Sequence, residues 1–255
     1  MRNVLSIAWN VVRDASRRRI FYVVFLFGLV VLAVSPLLPN FELGTTGAFL
    51  KDISISLTSL FGVVLAVILA VTQIPGEVEK RTIYNILSKP VNRAQYLLGK
   101  YLGILISLFG IMLVMSLEIL VLLGAKTSVF SPVILQGVFA VFLEAAVISA
   151  FCLMLTTLTS VPITIFAAIL FYFLCHIKTS FLHQKLIGST SGFLKVLAGA
   201  AYYAIPNLEN FNISQQVAYG GGASAYYMLR ITGYAIFFAA VFIIIAFAAF
   251  RRKDL

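Results

Sequence analysis

Residues 53–123 read "ISISLTSLFGVVLAVILAVTQIPGEVEKRTIYNILSKPVNRAQYLLGKYLGILISLFGIMLVMSLEILVLL", two apolar runs joined by one charged island. The first run extends from Ile53 to Ile74 and closes at Pro75-Gly76; the second starts at Tyr101 and reaches Leu123. Each is long enough for a helix to cross the roughly 30 Å hydrocarbon core of a bilayer. Between them, residues 76–100 carry two acids and five bases together with a proline. A chain that folds as lipid-soluble helices is here forced out into water.

Outward from this stretch the same alternation continues. Hydrophobic residues make up 61% of the 255 and charged residues 11%, against about a quarter charged in soluble domains. Further spans are predicted at 20–38, 133–158, 162–176 and 231–250. The length suits about six spans of roughly twenty residues and leaves no room for a second globular domain. The expectation is an all-α membrane protein with six transmembrane helices, forming one membrane domain over 1–255.

Residues 1–18 add an amphipathic helix, with Val4, Leu5, Ala8, Val11, Val12 and Ala15 on one face. Trp9 beside that face suits the membrane interface, so an interfacial helix is predicted. Its charge and length do not fit the n-region of a signal peptide, and it is expected to stay in the mature protein. The segment 177–229 is less apolar and rich in Gly, Ser, Asn and aromatics. Short external helices, near 179–187 and 192–204, fit it better than another span. Tyr202, Tyr203, Phe211, Tyr219, Tyr226 and Tyr227 suit an interfacial aromatic belt.

The net charge of +10 does not point to nucleic acid, because the bases sit beside the ends of apolar runs. Of the 19 Lys and Arg, 13 fall before the first span, in the 76–100 stretch or after the last span. The positive-inside rule therefore predicts both termini and the charged loop to be cytoplasmic. A plasma membrane or bacterial inner membrane is the expected location.

Motifs for chemistry are missing. No Gly-x-x-x-x-Gly-Lys-Ser/Thr loop, His-Glu-x-x-His helix or Gly-x-Ser-x-Gly elbow occurs. No catalytic residue and no cofactor is expected in this chain. Cys152, Met154, Cys175 and His176 lack the spacing of a metal site, and the cysteines read as small core residues. Two acids, Glu118 and Glu144, lie inside apolar runs. A carboxylate in lipid is costly unless it is paired, protonated or facing water, so both are candidates for a translocation path or an interhelical bond. Gln136 and the threonines near 156 are candidate partners.

The charged loop reads as helix, break, helix. Glu77 precedes Arg81 by one turn in the favourable order. Val78, Ile83, Ile86 and Leu87 give the first helix an apolar side. Pro90 ends it. Asn92 can cap the next helix, with Gln95 as capping-box partner. An amphipathic helix held in the cytoplasm between two spans has the shape to dock in another protein's groove.

The stretch "QIPGEVEKRTIYNILSKPVNR" (73–93), continuing to Gly99-Lys100, resembles the cytoplasmic loop of permease subunits in the type-2 ABC exporter family. Together with "YYAIPNLENFNI" (202–213) it is similar to the branch labelled as multicopper enzyme maturation permeases. The resemblance implies that loop 76–96 couples the spans to a separate cytoplasmic ATPase, present in two copies, which would bind the ATP and Mg. It implies that Glu77, Glu79, Arg81, Thr82, Ile83 and Leu87 meet that partner. Pro90, Arg93, Gly99 and Lys100 would fix the loop's shape and its join to the span. Arg81 stands where many members have glycine. A second permease copy or homologue and membrane lipid complete the expected partners. The resulting expectation is ATP-driven export or extraction of a substrate. A membrane scaffold driven by an ATPase without cargo, or a secondary transporter, are the alternatives.

Overall fold

The computed structural model describes residues 2–17, 20–34, 43–79, 92–127, 131–178, 205–219 and 221–251. Every regular element among them is helical. In chain order these are α1 (Arg2–Arg17), α2 (Ile20–Val34), α3 (Leu43–Val71), α4 (Gln73–Glu79), α5 (Arg93–Thr127), α6 (Ile134–Leu158) and α7 (Val161–Lys178). A 3-10 turn (Leu208–Phe211), α8 (Ser214–Tyr219) and α9 (Ala225–Arg251) follow. The expected helices at 179–187 and 192–204 lie outside the described residues. So do Tyr202 and Tyr203, and the loop positions Arg81, Thr82, Ile83, Leu87 and Pro90.

Among the described residues four helical stretches are long and apolar enough to cross a membrane: Gly47–Gly76, Arg93–Ala125, Ile134–Leu158 and Ala225–Arg251. Tyr22–Ala33 and Val161–His176 are apolar but shorter. Large apolar side chains such as Phe25, Leu117, Val121, Phe166 and Phe237 point outward. A water-soluble monomer rarely tolerates so much exposed apolar surface; against lipid tails it carries no penalty.

α6 is the central helix. It is apolar all round, which suits burial on every side, and it packs chiefly between α3 and α9. Phe151 of α6 stacks on Phe171 of α7 at 3.8 Å and meets Phe242 of α9 edge-on at 5.4 Å. Offset and edge-to-face rings of this kind add specificity beyond the area they bury. Cys152 and Cys175 are both buried.

Two boundaries and the placement of one aromatic differ from the sequence expectation. Pro75-Gly76 does not end a helix; both lie within α4, and the break falls at Thr72. Proline lacks the N–H that would bond to the carbonyl one turn earlier, here Val71, and its ring crowds that carbonyl. The helix therefore breaks ahead of Pro75, which is then accommodated in the first turn of α4. The Thr72 hydroxyl donates back to the carbonyl of Ile68 in the last turn of α3 at 2.9 Å. Residues 43–52, expected as a loop, form the first turns of α3, where Ala48 and Leu50 are buried. Phe211, assigned to an interfacial belt, is buried beside Tyr234; Tyr219 and Tyr226 are exposed as expected.

α1 is amphipathic, but its inner face is Ile7, Ala8, Val11 and Ala15, with Leu5 and Trp9 turned outward. That face packs on α5 at Gly99 and Gly103. A Cβ on Gly99 would come within 2.8 Å of the Ile7 Cβ, and one on Gly103 within 2.5 Å of the Val11 Cβ and 2.7 Å of the Ala8 carbonyl oxygen. Two glycines four apart let the helices approach backbone to backbone, the small-residue mode of helix packing in membranes. Gly99, expected to shape the join between loop and span, thus sits where α1 crosses α5.

Candidate functional site

Polar groups concentrate at two levels of the bundle. The first is the neck of the charged loop. α5 opens with the expected capping box: the Asn92 N–H donates to Gln95 Oε1 at 3.3 Å. Its 35 residues make a rod about 52 Å long, longer than the hydrocarbon core needs, and the surplus carries Arg93, Gln95 and Lys100. The Arg93 guanidinium donates to the carbonyls of Phe250 at 2.8 Å and Arg251 at 3.0 Å. These are among the carbonyls left without helical partners at the end of α9, and a cation there also opposes the helix dipole. Tyr96 stacks on Phe250 with ring centroids 5.8 Å apart.

Lys100 is buried, 4% exposed. Its ammonium donates to Gln73 Oε1 at 3.2 Å and lies 5.7 Å from the centre of the Tyr96 ring. Gln73 opens α4, on the entering side of the loop, and Lys100 lies in α5, on the leaving side. Their bond closes the neck. Glu77 and Glu79 fall in the last turns of α4.

The second level surrounds Glu144 in α6, 3% exposed. Ser59 of α3 donates to Glu144 Oε2 at 3.1 Å. His176 of α7 brings Nε2 to 3.5 Å from Glu144 Oε1, too far for a hydrogen bond, and that oxygen has no hydrogen-bond partner among the described residues. His176 Nδ1 is 3.1 Å from the Tyr172 carbonyl oxygen. A carbonyl only accepts, so Nδ1 carries the hydrogen, and in the neutral ring Nε2 is left as an acceptor. The Tyr172 ring lies against the imidazole, centroids 4.4 Å apart. Ser59, Glu144, Tyr172 and His176 are thus one cluster, drawn from α3, α6 and α7.

The turn at 207–212 brings a second acid to this cluster. Asn207 caps it by accepting from the Glu209 N–H at 3.2 Å, and the Asn212 amide donates to Glu209 Oε1 at 2.9 Å. The Tyr227 hydroxyl donates to the Asn210 carbonyl at 2.8 Å and the Asn207 N–H donates to the Tyr234 oxygen at 2.6 Å, so α9 holds the turn in place. The Glu209 carboxylate is near enough for its charge to be felt at Glu144.

Glu118 does not join this cluster. It faces α2 in an apolar groove of about 410 Å³ lined also by Phe25, Leu29, Leu32 and Val121. Gly28 makes the room, since a Cβ there would stand 3.2 Å from Glu118 Oε2. That oxygen has no hydrogen-bond partner among the described residues. Glu118→Gln is expected to change stability by no more than about 0.5 kcal/mol, the usual range where no feature is lost. Thermal unfolding of the purified variant measures it; a clear loss would mean the carboxylate has a partner.

Gln136, expected beside one of the acids, instead accepts from the Ala223 N–H at 3.1 Å and ties α6 to the turn before α9. Thr156 and Thr157 donate to carbonyls of their own helix. Sequence reasoning missed Ser59, Tyr172 and Glu209 and weighed His176 only as a metal ligand. Among the described residues no three His, Cys, Asp or Glu side chains come together as a metal site.

A comparison with curated proteins finds no match. The family model of the ABC-2 family transporter protein matches residues 5–255, which takes in the loop neck, the Glu144 cluster and every helix. The chain belongs to the ABC-2 transporter family and is a multi-pass membrane permease subunit of an ABC transporter.

Proposed function

We propose that this chain spans the membrane six times with both termini in the cytoplasm, pairs with a second permease, and is driven by separate cytoplasmic ATPases docked on loop 76–96. In this reading the ATPases bind ATP and Mg, and their closure moves the loop. The movement passes to the spans, and substrate crosses or leaves the membrane past the Glu144 cluster. The likeness of 73–93 and 202–213 to the multicopper enzyme maturation branch belongs to this reading as a likeness of sequence.

One observation carries it. The buried Lys100–Gln73 bond joins the two sides of the loop, and α5 continues without interruption from Arg93 to Thr127. A push on the loop is therefore delivered to a closed neck and a single long rod rather than to a hinge. Arg93 on the carbonyls at the end of α9 shares that push with a second span.

Charge reversal of Glu77 and Glu79 to Lys, on the side of the loop that the resemblance assigns to the ATPase, tests the docking. The expected result is loss of ATPase stimulation by the permease, with its thermal unfolding unchanged. Full stimulation in the variant would move the docking surface elsewhere. Co-purification of a phosphate-loop ATPase with the wild-type chain, and ATP-dependent uptake into inverted vesicles, test the reading as a whole.

A further inference from the structure

α3 and α7 leave a groove between them of about 390 Å³, within the range of small-molecule sites. Its walls are Leu60, Val64 and Ile68 of α3 against Ile165, Ile169 and Tyr172 of α7, among others, almost wholly apolar. The two helices run antiparallel here, so the groove follows α3 from Leu60 to Thr72, roughly 18 Å at helical rise. That is the reach of a long alkyl chain. At one end it finishes on Tyr172, whose other side meets His176, next to Ser59 and Glu144.

The chemistry of that end is one-sided. Glu144 Oε1 has no donor among the described residues. With Nδ1 committed as a donor to the Tyr172 carbonyl, His176 Nε2 presents a second acceptor 3.5 Å away. The Tyr172 ring beside His176 offers a π face. Two acceptors facing one another at this distance call for an N–H or O–H between them. A proton on either group supplies one; a ligand ammonium supplies several, together with a positive charge for the ring and the Glu144 carboxylate.

We propose that the groove and the Ser59–Glu144–Tyr172–His176 cluster form one binding site for a single-chain cationic amphiphile bearing a primary ammonium head. The chain lies between α3 and α7, and the ammonium donates from one side of the pair to both Glu144 Oε1 and His176 Nε2. A phospholipid fits less well: its phosphate would face Glu144, and the groove holds one chain. This proposal rests on the permease reading for its meaning as a substrate site, but binding is measured on the chain without ATPase or ATP. Failure here and failure of ATP-driven transport are therefore separate results.

The test is equilibrium binding of radiolabelled dodecylamine to the full chain in nanodiscs, with protein-free nanodiscs subtracted. Saturable binding is expected, and Glu144→Gln should weaken it at least tenfold. Val64→Trp, on an exposed position of the groove wall, should do the same without disturbing the fold. Dodecanol and lysophosphatidylethanolamine should compete at least tenfold less well than unlabelled dodecylamine. If Glu144→Gln does not fold, this headgroup series on the wild-type chain decides alone. Equal competition by dodecanol or by the lysophospholipid overturns the proposal, as does unchanged binding in a folded Glu144→Gln or in Val64→Trp. A disulfide between two chains through Val64→Cys would put a second copy in the groove and also overturn it.

Discussion

Gly103→Ala and Gly110→Ala, two turns apart on α5, are expected to move stability in opposite directions. In a helix interior Ala is favoured over Gly by about 1 kcal/mol, because it loses less backbone freedom. At Gly110 nothing lies within 4 Å of the added Cβ. The groove beside it, lined by Val12, Ile106 and Val114, takes the methyl without a clash, and the propensity gain should appear in full. At Gly103 the new carbon would lie 2.5 Å from the Val11 Cβ and 2.7 Å from the Ala8 carbonyl oxygen. Neither is the free end of a flexible side chain. α1 as a whole must shift, and overpacking of this kind costs about 1–3 kcal/mol, which outweighs the gain. Gly103→Leu enlarges the effect and should release α1 from α5. Thermal unfolding in detergent ranks the three variants. A cysteine pair across the α1–α5 contact reports release directly, through loss of cross-linking. If Gly103→Ala proved as stable as Gly110→Ala, the close approach of the two backbones would be wrong.

The elements that could be read from the chain are those whose causes are local. α6 was expected at 133–158 and spans Ile134–Leu158, since an unbroken apolar run bounded by Pro132 and by Thr159-Ser160 leaves few choices. The capping box at Asn92 and Gln95 is likewise a matter of neighbours in sequence. Pro75 was misread because a proline marks a break without saying on which side the helix resumes. Here it resumes ahead of the proline, as α4.

The Glu144 cluster was half legible. An acid in an apolar run announces itself, whereas Ser59, 85 residues away, is one of several serines and threonines in α3 with nothing to single it out. Glu209 lay in a stretch noted only for its likeness to other permeases. Its approach to α6 depends on Tyr227 and Tyr234 of α9. α1 was recognised as amphipathic, but a helical wheel could not say that Ile7 rather than Leu5 faces inward. That is decided by the two glycines on α5.

Gln73→Leu and Lys100→Met, singly and together, separate the stability of the loop neck from its mechanical role. Lys100→Met removes the donor to the buried Gln73 amide, whose nitrogen has no hydrogen-bond partner among the described residues. An unsatisfied buried polar group costs about 1–3 kcal/mol. Gln73→Leu leaves a buried ammonium without this acceptor, which is the more damaging loss because the group is charged. Both single variants should therefore unfold at lower temperature, Gln73→Leu at the lowest. The double variant replaces both partners with apolar groups of similar size, a change that is often close to neutral. Its unfolding temperature should return most of the way to wild type. Coupling is expected to behave differently. A hydrogen bond from an ammonium fixes one register between α4 and α5, whereas a Leu–Met contact is non-directional and lets the helices slide. In the double variant, stimulation of the partner ATPase should stay well below wild type although stability has recovered. A double variant that recovers both would reduce the Lys100–Gln73 bond to a structural contact, and transmission would then rest on Arg93 and the end of α9.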